Sequence, residues 1–306
     1  MQPPSGDNGK KSLHGPMGLV VDGERLLLAN QNINESSSGE IRSYDRFASG
    51  VFDVLIASTQ KSAPERPYAP RGLVVQGSIL YVADVGDAGA KPPAPGRLTT
   101  WDAETGEFLG DLGLDGYAHP FRPRGLVFGP DGFLYVSVTA LPNRGYGAIV
   151  RFDPDSGVIS DIVYECDPAV DPDCELHRPE GVVFGPDGRL YVASFQLDAA
   201  DVDRILIFDV AAGDGPPVDA IELFQPGQSR AFAQALLFGP DDGLYVPISG
   251  GGPDVGSVRI YDVVDKSFDL LVAPRVDGGP LAQPFFLTFG NTNPETLAYE
   301  PALGCD

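Results

Sequence analysis

One phrase returns six times along this chain, and that periodicity limits the fold more than any single residue does. Pro16-Met-Gly-Leu-Val-Val is followed by Pro70-Arg-Gly-Leu-Val-Val, Pro123-Arg-Gly-Leu-Val-Phe and Pro179-Glu-Gly-Val-Val-Phe. Looser copies stand at Ala233-Gln-Ala-Leu-Leu-Phe and Pro284-Phe-Phe-Leu-Thr-Phe. The copies are 54, 53, 56, 54 and 51 residues apart, which marks an array of like units. A Gly/Asp/Pro turn and a second apolar run follow most phrases, as in Gly129-Pro-Asp-Gly before Leu134-Tyr-Val-Ser and Gly185-Pro-Asp-Gly before Leu190-Tyr-Val-Ala. A third run closes most units, such as Ile149-Val-Arg-Phe-Asp and Ile205-Leu-Ile-Phe-Asp, and a looser fourth strand such as Phe52-Asp-Val-Leu-Ile comes after it.

A lone four-stranded unit cannot bury its own faces, whereas a closed ring covers each unit with its neighbours and removes most exposed edges. The expected fold is therefore all-β: a six-bladed β-propeller with four-stranded blades around a central tunnel. Residues 1–15 would be a tail or closing strand, and residues 16–306 a single propeller with blades starting near 16, 70, 123, 179, 233 and 284. The last unit offers only Phe286-Leu-Thr-Phe and Thr296-Leu-Ala-Tyr before Asp306, so its blade is expected to be incomplete.

Composition narrows the partners. The 38 Gly and 29 Pro fall at turns between apolar runs, where they punctuate strands. The net charge of -22 arises from 43 acidic against 21 Lys and Arg residues, only five of them Lys. Such an envelope repels phosphate backbones, which argues against nucleic acid, and its self-repulsion favours a soluble monomer. No run approaches the roughly 18 apolar residues of a membrane helix.

Cys166 and Cys174 bracket the short loop Asp-Pro-Ala-Val-Asp-Pro-Asp, which a disulfide can close. A disulfide implies an oxidising compartment, so the expected location is extracellular or periplasmic, with a leader outside this sequence. Two cysteines alone are a poor zinc site, because zinc wants further Cys or His ligands. Asp167, Asp171 and Asp173 lack the spacing of an EF-hand loop. Cys305 stands in the last unit with no evident partner.

Pro-x-Gly with its apolar run, followed by Gly-Pro-Asp-Gly and Leu-Tyr-Val, resembles the NHL-repeat propellers, the senescence-marker-protein/gluconolactonase superfamily and the streptogramin lyases. The resemblance runs from residue 16 to about 300. It implies a propeller, and it spans lactonases, phosphotriesterases, lyases and binding scaffolds, so function must be argued from the site. It also implies that the residue between Pro and Gly faces the tunnel, where the gluconolactonase-like and amidating-lyase families carry a metal. Here that position reads Met17, Arg71, Arg124, Glu180, Gln234 and Phe285. One carboxylate and two guanidiniums would repel a dication, so no cofactor is expected; calcium stays open as an alternative that the tunnel ring does not support.

Met17 and Phe285 would meet on ring closure as an apolar wall, opposite Arg71, Arg124, Glu180 and Gln234. A small anionic or amphipathic molecule suits such a site, because arginine grips carboxylate, sulfate or phosphate in bidentate fashion. The competing reading pairs Arg124 with Glu180 on adjacent blades and leaves Arg71 without an evident partner. His14, His119 and His177 all precede a Pro-x-Gly phrase and are expected at one rim. Of these, His177 lies three residues from Glu180, which makes the two a candidate proton-moving pair. Asn30 and Asp84, at the ends of second strands, are either ligands or turn caps, and no nucleophile-elbow motif is present. Two functions fit: a hydrolase of esters or lactones, or a lyase, acting at the tunnel mouth, and a non-catalytic extracellular binding scaffold.

Overall fold

The computed structural model describes residues 13–33, 38–48, 50–58, 65–87, 94–140, 145–224 and 230–301. Within them, twenty strands form five four-stranded antiparallel sheets, each a simple meander. The first blade is β1 (Pro16–Asp22), β2 (Arg25–Asn30), β3 (Glu40–Asp45) and β4 (Phe52–Ile56). The second holds β5 (Pro70–Gln76), β6 (Ile79–Asp84), β7 (Arg97–Asp102) and β8 (Phe108–Asp111). The third holds β9 (Arg122–Phe128), β10 (Leu134–Thr139), β11 (Gly147–Asp153) and β12 (Val158–Cys166). The fourth holds β13 (Val182–Phe184), β14 (Leu190–Ser194), β15 (Arg204–Phe208) and β16 (Asp219–Glu222), and the fifth β17 (Leu237–Phe238), β18 (Leu244–Ile248), β19 (Ser257–Tyr261) and β20 (Phe268–Val272). Among the described residues, helix is confined to two short 3-10 turns at Pro240–Asp242 and Arg275–Asp277.

The strand carrying the repeated phrase is innermost in every blade, and its glycine is what lets blades meet. A Cβ on Gly18 would lie 1.9 Å from the Arg71 carbonyl oxygen, and one on Gly72 or Gly125 would lie 2.7 Å from the carbonyl oxygen of Arg124 or Glu180. Each glycine thus admits the backbone of the next blade's tunnel-facing residue. Farther out, a tyrosine on the second strand of the second to fifth blades packs edge-on against a phenylalanine of the next unit. The ring centroids are 5.2 Å apart for Tyr81–Phe128, 5.0 Å for Tyr135–Phe184 and 4.9 Å for both Tyr191–Phe238 and Tyr245–Phe289, the geometry favoured by ring quadrupoles. The aspartate of the Gly-Pro-Asp-Gly turn accepts the hydroxyl proton of that tyrosine, at 2.8 Å for Tyr135 to Asp131 and 3.0 Å for Tyr191 to Asp187.

The sixth blade expected from the sequence is not formed. Phe289 takes the place that Phe128, Phe184 and Phe238 hold elsewhere, and Ser249 donates a hydrogen bond to the Pro284 carbonyl at 2.7 Å. The sixth phrase therefore lies beside the fifth blade, but no sheet grows from it. Phe286 stands where the other phrases have Gly or Ala, and no Leu-Tyr-Val run follows. The chain passes the first blade, where Arg46 donates to the Gly290 carbonyl, and then crosses the end of the tunnel. There the Pro294 and Glu295 carbonyls accept from the amides of Val75 and Phe128, at 2.8 and 3.2 Å. Leu297 touches all four apolar clusters found among the described residues. Five blades plus this strap close the ring. Residues 1–12 and Cys305 lie outside the described residues.

The buried tyrosines make the fold sensitive to alkali. Burial pushes the phenols of Tyr117 and Tyr135 up to about 12, and raises those of Tyr146 and Tyr191 as well. An unfolded phenol ionises near pH 10, so between about pH 10 and 12 the native state holds more protons and stability falls as pH rises. Urea unfolding at about pH 11 should show a loss on the order of 1 kcal/mol per buried phenol, lessened in Tyr135→Phe. A flat profile from about pH 9 to 11 would contradict this.

Candidate functional site at the tunnel mouth

The residues between Pro and Gly converge at one mouth of the tunnel. Arg71 and Glu180 are both buried, and Arg71 Nη2 donates to Glu180 Oε2 at 2.7 Å and to Gln234 Oε1 at 2.5 Å. These residues belong to the second, fourth and fifth blades, so the bonds span the tunnel axis. Arg71 is thus provided with a partner, contrary to the sequence reading that left it without one. The Arg71 side chain is long enough to cross the axis to the fourth and fifth blades, a reach that the order of phrases along the chain does not show. Burial lowers the Arg71 guanidinium to about 10, with Glu180 raising it and Arg124 lowering it further. It remains a cation at neutral pH.

Arg124 is held more loosely. Its Nη1 lies 3.8 Å from Glu180 Oε1, its Nε donates to Thr139 Oγ1 at 3.4 Å, and its side chain is 18% exposed against 9% for Arg71. Two guanidiniums against one carboxylate leave the ring at formal +1. Met17 and Phe285 are both half-buried at their places in the first and sixth phrases. Below the ring, Leu19, Leu73, Leu126, Val182, Leu236 and Leu287 line the tunnel bore down to Leu297. The mouth is polar, the bore is apolar and the far end is stopped.

The imidazole of His177 is directed elsewhere. His177 is buried, its Nδ1 lies 3.2 Å from Asp201 Oδ2, and it clusters with the sulfurs of Cys166 and Cys174, which are joined as a disulfide. Among the described residues no hydrogen bond links it to Glu180. Burial lowers its pKa below the ordinary histidine value, opposed by Asp201. His119 pairs with Glu165 at 3.0 Å and stacks on Tyr146, and the His14 amide donates to Asn30 Oδ1. Asn30 and Asp84 act as clasps for the loops that lead into the inner strands; Asp84 accepts from the amides of Tyr68, Ala69 and Gly86. Asp203 is a further clasp, accepting from Arg230 and from the amides of Gln196, Ala231 and Phe232. Asp201 and Asp203 escaped the sequence reading because they sit in a loop of variable sequence outside the repeated phrase.

The fold and this ring define a β-propeller with a mixed-charge tunnel mouth. Neither a family profile nor a curated protein sequence matches the chain. Among solved structures it superposes on a candidate gluconolactonase with a TM-score of 0.56 and 15% identity, over 92% of this chain and 84% of that one. It also superposes on regucalcin, a calcium-binding protein of Agrobacterium tumefaciens, with a TM-score of 0.52 and 16% identity, covering 83% and 73% of the two chains. A luciferin-regenerating enzyme gives a TM-score of 0.51 and 16% identity over 94% and 83%. These neighbours agree with the gluconolactonase-like resemblance of the repeated phrase, and at such identities the likeness is one of fold. The mouth does not fit a calcium ion, because its single carboxylate is already bonded to Arg71 and a second guanidinium stands beside it.

Proposed function

We propose that the tunnel mouth binds a small organic anion with an apolar body, and that the protein works outside the cytosol. The observation that carries this reading is the unequal hold on the two arginines. Arg71 is locked by Glu180 and Gln234, whereas Arg124 keeps only long contacts and partial exposure. A carboxylate, sulfate or phosphate can approach Arg124 while its apolar part rests on Met17 and Phe285. The disulfide supports an exported protein.

Calorimetric titration with octanoate and with acetate tests the reading. Octanoate should bind more tightly than acetate, and Arg124→Met should weaken octanoate at least tenfold, the value of one charge-assisted hydrogen bond. Phe285→Ala should affect octanoate and spare acetate. Equal affinity of the Arg124→Met protein would refute the site.

Hydrolysis of an ester or lactone at this mouth is the second reading, favoured by the names that the gluconolactonase-like neighbours carry. Glu180 is the one carboxylate in the ring, and Arg124 is the group able to stabilise developing oxyanion charge. The pairing of Glu180 with Arg71, and of His177 with Asp201, favours binding over turnover. A lactone panel decides between them: turnover abolished by Arg124→Met supports hydrolysis, and absence of turnover with octanoate binding intact supports the binder.

A further inference from the structure

We propose that Cys166, Cys174 and His177 form a metal site that the disulfide masks, and that the dithiol form of the protein takes one thiophilic ion of the zinc class there. The sequence offers two cysteines, too few for zinc on their own, and the fold supplies the third donor. One ligand atom from each of the three residues lies within 4.8 Å of the others, and all three residues are buried. A Zn–S bond of about 2.3 Å places two tetrahedral sulfurs roughly 3.8 Å apart, a separation that Cα atoms 5.5 Å apart allow. The loop between the cysteines exposes Asp171, Pro172 and Asp173 to solvent, so it can adjust without uncovering core.

Three features of His177 point to a ligand rather than to a packed side chain. Its Nε2 is buried and makes no hydrogen bond of regular geometry, the ring having the Cys174 backbone beside it besides Asp201, a state that a metal bond relieves. Its Nδ1 faces Asp201, and a carboxylate behind an imidazole fixes the tautomer and raises the basicity of the other nitrogen. Asp201 is itself held by the amides of Leu197 and Val202, both at 2.8 Å, and by Arg204. The His177 backbone is also fixed, its amide on Ser194 Oγ at 3.0 Å and its carbonyl accepting from Phe195 at 2.8 Å. The imidazole is therefore oriented before any ion arrives.

The redox step balances as follows. A dithiol reductant gives two electrons and two protons to the Cys166–Cys174 disulfide and closes to its own disulfide. The two thiols then lose their protons to solvent as the ion binds. Two thiolates neutralise the dication, and water completes four-coordination around two sulfurs and one nitrogen.

Cobalt(II) added to the full chain, oxidised or reduced with a phosphine, tests this. The reduced protein should take one equivalent with thiolate-to-cobalt charge-transfer absorption that zinc displaces, and the oxidised protein should take none. The Cys166→Ser/Cys174→Ser double variant should lose the absorption. Substituting His177→Ala should weaken binding at least tenfold and alter the ligand-field bands, and Asp201→Asn, a positioning change, should weaken it by about 10- to 100-fold with the bands retained. No cobalt uptake by the reduced chain, or uptake unaffected by His177→Ala, overturns the proposal. If reduction unfolds the chain, one equivalent of zinc should restore the near-ultraviolet dichroism, and a reduced chain that zinc fails to refold overturns it equally.

Discussion

Replacing Glu180 by glutamine should lower stability by about 3–5 kcal/mol while strengthening anion binding at the same mouth. The side chains of Glu180 and Arg71 are only 7% and 9% exposed, so the change leaves a buried guanidinium with no counter-charge and a second one beside it. Removing one member of a buried pair is costly because the remaining charge cannot regain its water. The formal charge of the ring rises from +1 to +2. An added anion then supplies what Glu180 supplied, and at a hundredfold excess over its Kd it should restore about 2.7 kcal/mol. Removing both charges in Arg71→Met/Glu180→Gln should recover most of the loss, since apolar or neutral replacements of a buried pair are often close to neutral. Urea unfolding of the three proteins, with and without octanoate, measures all of this. A loss under about 1 kcal/mol, or a double variant no more stable than Glu180→Gln alone, would show that the pair is not the buried counter-charge described here.

How far the sequence foretold this site depends on what each feature rests on. The tunnel-facing positions were legible through the family resemblance of the Pro-x-Gly phrase, which marks one such position per unit. The pairing across the tunnel was not, because it depends on how far each side chain reaches over the axis. Counting phrases overstated the number of blades: Phe289 copies the aromatic of a full unit, while Phe286 in the glycine position is the sign that no further blade packs there. The direction of the His177 ring was equally hidden. It is set by Asp201, 24 residues on in a loop that no repeat marks, and by the disulfide three residues before it.

Gly18→Ala should be among the most damaging single methyl additions in the chain, costing about 3 kcal/mol or more. The new Cβ would stand 1.9 Å from the Arg71 carbonyl oxygen and 3.2 Å from the Gly72 Cα. Both are backbone atoms of β5, so relief requires the first and second blades to move apart. That separation loosens the packing of the shared cluster in which Val20, Leu27, Leu73 and Leu80 are buried. It also shifts Arg71, so Gln234 and Glu180 lose their partner along with the blade contact. Two controls separate crowding from backbone conformation. Gly23→Ala places a Cβ in open space but at φ +58°, and should cost only about 1 kcal/mol from left-handed strain. Ala235→Gly, in the fifth blade where the chain already carries a methyl at the equivalent position, should be milder than Gly18→Ala in the opposite direction of volume. Thermal and urea unfolding of the three variants give the order. If Gly18→Ala proves no worse than Gly23→Ala, the glycines of the repeated phrase are not what closes the ring, and the tunnel-facing residues are positioned by some other contact.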